Sequence, residues 1–102
     1  MILEHALLSV RAGETAAFEA AFAEASALLA RQTGYRGHRL ERCIERGGLY
    51  LLLVEWERLE DHEDGFRKGP DYPEWKRRLH HYYEPFPEVP HFENVVRGFA
   101  SS

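Results

Sequence analysis

Leu49-Tyr50-Leu51-Leu52-Leu53-Val54-Glu55-Trp56 decides the fold. Side chains alternate across a strand. Tyr50, Leu52, Val54 and Trp56 therefore share one face, and Leu49, Leu51 and Leu53 share the other. A strand that is apolar on both faces is covered on both faces. Helices of this chain can cover one side. The chain has too few helices for the second side, and a second copy of the chain is the simplest cover. A homodimer is expected on that ground.

Working outward, Arg46-Gly47-Gly48 is a hairpin signal that joins this strand (residues 49–57) to a more polar strand over residues 35–44. Upstream, residues 14–31 follow a helical stripe of Phe18, Phe22, Ala25, Leu28 and Leu29. Thr33-Gly34 closes that helix, since glycine commonly follows a helix C-terminus. Arg11-Ala12-Gly13 is a turn, and residues 2–10 alternate as a strand. One face of it carries Ile2, Ala6, Leu8 and Val10, and the other carries Leu3, His5, Leu7 and Ser9. Downstream, residues 59–67 read as a short helix with acids in its first turn, where they suit the helix dipole. Pro70 suits the first position of a further helix over residues 70–83. Pro85, Pro87 and Pro90 then force an extended segment, and residues 89–99 read as a last strand. The order is β-α-β-β-α-β with the second helix in two pieces: an α+β, ferredoxin-like plan in a single domain spanning residues 1–102.

Composition narrows the function. Net charge is −4, which disfavours nucleic acid as a partner. The lone Cys43 excludes an internal disulfide and zinc-ribbon spacing, and it fits a reducing compartment. No run approaches the ~20 apolar residues of a membrane span. Met1-Ile2-Leu3-Glu4-His5 lacks the basic start and long apolar core of a signal peptide, so a cytoplasmic location is expected. There is no Gly-rich phosphate loop and no i, i+4 histidine pair. No metal and no flavin are expected.

Both tryptophans, most of the aromatics and four of the six histidines fall after residue 49. Aromatic and imidazole groups around a buried strand suggest an apolar small-molecule pocket with a few polar handles. Its expected lining is Trp56, His62, Phe66, Tyr72 and Trp75. His62 lies three after Leu59 and four before Phe66, on the inward stripe of its helix. Imidazole titrates near neutral pH, so His62 is the first candidate for a general base; the alternative is a histidine hydrogen-bonded at the core edge. Tyr72, Trp75, Leu79 and Tyr82 recur at helical spacing, as plain core or as a clamp on substrate. His80 and His81 point about 100° apart on a helix, which leaves one of them inward. His5 and His80 are the next candidates after His62. His5 and His91 would lie on adjacent strands, with no evident third ligand for a metal.

In this order the residues resemble the antibiotic biosynthesis monooxygenase (ABM) family of the dimeric α/β-barrel superfamily. The carriers are Tyr50-x-Leu52-x-Val54-Glu55-Trp56, the helix with His62 and Phe66, Pro70-x-Tyr72-x-x-Trp75, and Pro85-x-Pro87-x-Val89-x-His91-Phe92. The resemblance implies a homodimer whose two sheets face each other, with a pocket in each subunit between sheet and helices. It also implies oxidation of a small aromatic quinol or phenol by molecular oxygen without metal or flavin. Other members of the family bind or degrade haem, and many have no known activity. The alternatives implied are therefore a haem protein or a non-catalytic ligand-binding dimer. The haem degraders use an asparagine on the first strand, a helical tryptophan and a histidine. Here those places fall at His5, near Phe66 and near Lys76.

Overall fold

The computed structural model describes residues 1–101. Four antiparallel strands, β1 (Ile2–Ser9), β2 (Tyr35–Arg42), β3 (Leu49–Trp56) and β4 (His91–Glu93), form one sheet in the order β2-β3-β1-β4. Helix α1 (Thr15–Ala30) joins β1 to β2. A six-residue π-helix (Asp61–Phe66), α2 (Tyr72–Leu79) and a 3-10 turn (His80–Tyr82) lie between β3 and β4. This is the α+β, ferredoxin-like arrangement.

The two faces of β3 divide as its alternation requires. Tyr50, Leu52, Val54 and Trp56 are buried under the helices, while Leu49, Leu51 and Leu53 are half-buried on the other face. Phe18, Phe22, Ala25 and Leu29 of α1 pack onto the inner face. Burial of each large side chain contributes about 1.5–3 kcal/mol. Two polar ties then set the helices. Arg31 and Gln32, at the end of α1, bond the Asp71 carboxylate at 2.6 and 2.7 Å, which fixes the start of α2. Gly34, at φ +81°, bonds Glu57 N–H through its carbonyl and lies against the buried Asp61 carboxylate, in the space a Cβ would fill. The end of β3 and the start of the π-helix are thus locked to the α1–β2 turn.

Register matters most at Glu4. On β1 it lies opposite Val54 of β3 and opposite His91 of β4. Directly opposed residues share a face, with Cβ atoms about 4.5–5.5 Å apart. Glu4 is therefore held beside His91 on the covered face.

Several expectations change. The helix expected over residues 59–67 is the π-helix Asp61–Phe66, closed by the Arg67 N–H to His62 carbonyl bond of 2.9 Å, and Leu59 is exposed. The helix expected over residues 70–83 is α2 plus the 3-10 turn, and Pro73 rather than Pro70 takes the first-turn position. Strand β2 ends at Arg42, leaving Ile44 exposed. The last strand has three residues, not eleven. Its partner runs out: Glu93 already faces Ile2, the first residue of β1. Val95, Val96 and Phe99 have no strand beside them and are exposed. Among the described residues, no helix is long and apolar enough to cross a membrane.

Candidate functional site

A cavity opens between the inner face of the sheet and the helices. Its floor is Glu4, Ala6 and Leu8 of β1 with Leu52 of β3. The π-helix supplies His62 and Phe66, with Arg67 just after it, and α2 supplies Tyr72, Trp75 and Leu79. Phe22, His80, Tyr83 and the irregular segment with Phe86, Pro87 and Val89 close it. The ring of Phe66 meets Tyr72 and Trp75 edge to face at 5.4 and 5.5 Å. The volume is about 40 Å³, room for one or two waters. Small-molecule sites are usually ~300 Å³ or more. Any larger ligand must displace part of the lining, and the segment with the half-exposed Phe86 is the part outside helix and strand.

The polar centre of the site is Glu4. Its carboxyl is buried, 7% exposed. Oε1 accepts a hydrogen bond from Trp56 Nε1 at 2.9 Å and lies 3.3 Å from His62 Nε2. His62 is 3% exposed and stacks on Trp56 with ring centroids 5.4 Å apart. Its other nitrogen, Nδ1, is 2.7 Å from His91 Nε2. His91 Nδ1 in turn lies 3.7 Å from an Oε1 of the half-exposed Glu63. Glu4, His62, His91 and Glu63 form one row from the cavity to the surface.

Burial disfavours the charged form of each inner member. Burial pushes the Glu4 carboxyl up from 4.5 to about 7, against the Trp56 hydrogen bond and the Arg67 guanidinium, which pull it down. Burial pushes His62 down to about 3, helped by His91 and Arg67. The Glu4–His62 contact is therefore a close approach to a neutral imidazole rather than an ion pair. Near neutral pH, Glu4 is the proton-exchanging group and His62 is a weak base. His80 is likewise pushed down to about 4, chiefly by burial. Burial raises Tyr72 and Tyr83, so their hydroxyls keep their protons.

Of the residues singled out in the sequence, the structure brings His62, Phe66, Tyr72, Trp75 and His80 to the cavity. Trp56 stands behind it, fully buried, and reaches it through Glu4. Two residues lie elsewhere. Tyr82 packs on Phe18, because the helix tightens to a 3-10 turn before reaching it. His5 is on the opposite face of the sheet, with its ring edge against Phe92 at 5.6 Å, as strand alternation demands of a neighbour of Glu4. The missed residues are Glu4, His91, Arg67 and Tyr83. Glu4 had a signal: it is the one charged position on the stripe of Ile2, Ala6, Leu8 and Val10.

His62, Glu63 and His91 also bring three possible metal-ligand atoms within 4.8 Å of one another. The two imidazole nitrogens are only 2.7 Å apart. Bonds of about 2.0–2.1 Å to one tetrahedral ion require more than ~3 Å between ligand nitrogens. That separation suits a shared proton.

Comparison with known proteins agrees with this architecture. The uncharacterised protein YczJ of Bacillus subtilis (strain 168) is 47% identical over 95 residues, covering 93% of this chain and 100% of YczJ. A crystal structure from Bordetella bronchiseptica, named for antibiotic biosynthesis monooxygenases, is 36% identical with a TM-score of 0.88, covering 93% of this chain and 97% of its own. SnoaB, a cofactor-independent oxygenase from Streptomyces nogalater, shares the fold at 21% identity and a TM-score of 0.70, over 99% of this chain and 97% of SnoaB. The sequence profile described as antibiotic biosynthesis monooxygenase matches residues 1–78. With its sheet order, helices and profile match in agreement, the chain belongs to the antibiotic biosynthesis monooxygenase family.

Proposed function

We propose that this protein is a cofactor-independent monooxygenase for a small, electron-rich phenol or quinol, with Glu4 as the general base. The observation that carries this reading is a buried carboxyl poised at about 7 on the floor of an aromatic cavity. A base works best when its pKa lies near the operating pH. The fold shared with SnoaB, a cofactor-independent oxygenase, supports the reaction class.

In this reading Phe66 and Trp75 hold the substrate ring. Tyr72 and Tyr83 keep their protons and donate hydrogen bonds to its oxygen. Glu4 removes the phenolic proton in a site closed to bulk water. The substrate anion passes one electron to oxygen, giving superoxide and a substrate radical. Their union forms a peroxide anion at a ring carbon, and the proton held by Glu4 returns to it to give the hydroperoxide. Loss of water then leaves a carbonyl, so one oxygen atom stays in the product and the other leaves as water. The substrate supplies all the electrons. Turnover of a quinol panel under ¹⁸O₂ should place one labelled atom in the product, unchanged by a chelator. No oxygen uptake across the panel, or uptake only with added metal, flavin or haem, would remove this reading.

The protein also acts, in this proposal, as a homodimer. Leu3, Leu7, Leu49, Leu51, Leu53 and Phe92 line the uncovered face of the sheet, with Leu7 and Phe92 about half exposed. A second copy would remove this area from water, and obligate dimers bury more than ~2,000 Å² in total. Light scattering at micromolar concentration should give twice the 11.9 kDa chain mass. A single-chain mass would contradict it.

A further inference from the structure

We propose that Arg67, at the mouth of the cavity, is a carboxylate-binding subsite, so that the substrate is a phenol or quinol carrying one ring carboxylate. The proposal rests on the reading of the cavity as an oxidation site and narrows its substrate class.

Arg67 follows the π-helix, with its N–H bonded to the His62 carbonyl at 2.9 Å. It lines the cavity and is also exposed, so it stands where the cavity meets solvent. Its positive charge reaches Glu4, His62, Tyr72 and His80 alike. Other cations around the site are already matched. Arg31 takes Asp71, Arg58 takes Asp61, and Lys68, the next residue, takes Asp64. Arg67 has no such ion pair among the described residues. The one acid that lines the cavity with it is Glu4, whose carboxyl keeps its proton up to about 7. Arg67 is thus a cation without a standing counterion.

The charge count selects the ligand. Arg67 is the one lysine or arginine in the lining. Burial holds His62 and His80 neutral near neutral pH, at about 3 and about 4. One cation matches one negative charge. A carboxylate takes two parallel N–H bonds from a guanidinium. A phosphate dianion would leave a charge unmatched beside Phe66, Trp75 and Leu79, and burying an unpaired charge is costly. Arg67 can meet the carboxylate from solvent, before the segment with Phe86 yields to the ring. With the carboxylate held at the mouth, the ring hydroxyl points inward to Glu4. Fixing a substrate at both ends orients it for reaction.

Binding under nitrogen, where no oxidation occurs, tests the subsite. The probes are gentisate, a quinol with one ring carboxylate, and its uncharged methyl ester. Titration calorimetry at low salt should give gentisate an affinity about 10-fold above that of the ester, the return of one partly exposed charge-assisted pair. Added salt should shrink that preference, and Arg67→Gln should abolish it. Arg67 is exposed, so this variant should fold. Arg67→Lys keeps the charge without the planar fork and should keep part of the preference. Glu4 gives a second readout. The guanidinium pulls its carboxyl down, so gentisate should raise the Glu4 titration midpoint more than the ester does. An ester bound as tightly as gentisate, or a preference that survives Arg67→Gln, would overturn the subsite. So would absence of gentisate binding at millimolar concentration. Failure of the ¹⁸O₂ experiment alone would leave the binding preference intact, so the two readings fail separately.

Discussion

Glu4→Gln should lower oxidation of a phenol or quinol by about 10²–10⁴-fold, the range for loss of a general base, while making the protein more stable above neutral pH. The amide keeps the main local bond: both contacts fall on Oε1, and a carbonyl oxygen placed there still accepts from Trp56 Nε1 beside His62 Nε2. Only the proton-accepting function is removed. The stability gain follows from the pKa. The folded-state value, about 7, lies above the ordinary 4.5. Glu4 therefore contributes fully to stability below the unfolded value. That contribution falls as pH rises from about 4.5 and is lost once pH passes about 7. The rise corresponds to about 3 kcal/mol at 1.36 kcal/mol per unit. Urea unfolding of Glu4→Gln at pH 8 should recover up to this amount, and at pH 4 almost none. Wild-type turnover should rise with pH to a plateau just above 7, since the base works as the carboxylate. A destabilised Glu4→Gln with normal turnover would contradict both halves.

Trp56→Ala should cost about 3–5 kcal/mol, the usual range for a fully buried tryptophan. Domains of this kind hold only about 5–15 kcal/mol in total. Trp56 is 0% exposed, it carries the His62 ring on its face, and it gives Glu4 its hydrogen bond. The truncation thus opens a cavity and unseats the polar row together. Denaturant unfolding measures the first effect. Trp56→Phe isolates the second: the ring stays, but the N–H that pulls the Glu4 pKa down is gone. Its rate profile should move to higher pH, with most of the stability retained. An unmoved profile would mean that this hydrogen bond does not tune the carboxyl.

The fold was largely legible because its signals are local. The two-faced apolar strand, Gly34 after α1 and the paired glycines before β3 each report a geometry their own neighbours impose. The order of elements followed from them. What escaped depends on partners far along the chain. The last strand is short because β1 ends, and nothing within residues 94–99 says so. The turn at Asp61–Phe66 is π-wound, although its residues read equally well as an α-helix.

The site was half legible for the same reason. Phe66, Tyr72 and Trp75 lie on inward stripes that a helical period exposes. His62 was found by that stripe as well, but its pKa was not. An imidazole's charge state depends on burial and on His91, 29 residues away. Glu4 is the converse case. A carboxylate on the inward stripe of a strand is informative by itself, because burying a charge is costly. It is overlooked when alternation is judged only by apolar positions. His5, beside it, drew attention as a histidine and points to the other face.

The protonation of Glu4 tests the central claim most directly. Side-chain carbon NMR of glutamate-labelled protein, with the signal assigned by its loss in Glu4→Gln, should give a titration midpoint near 7. A midpoint near the ordinary 4.5 in the folded protein would leave Glu4 a plain buried-edge carboxylate and remove it as the base.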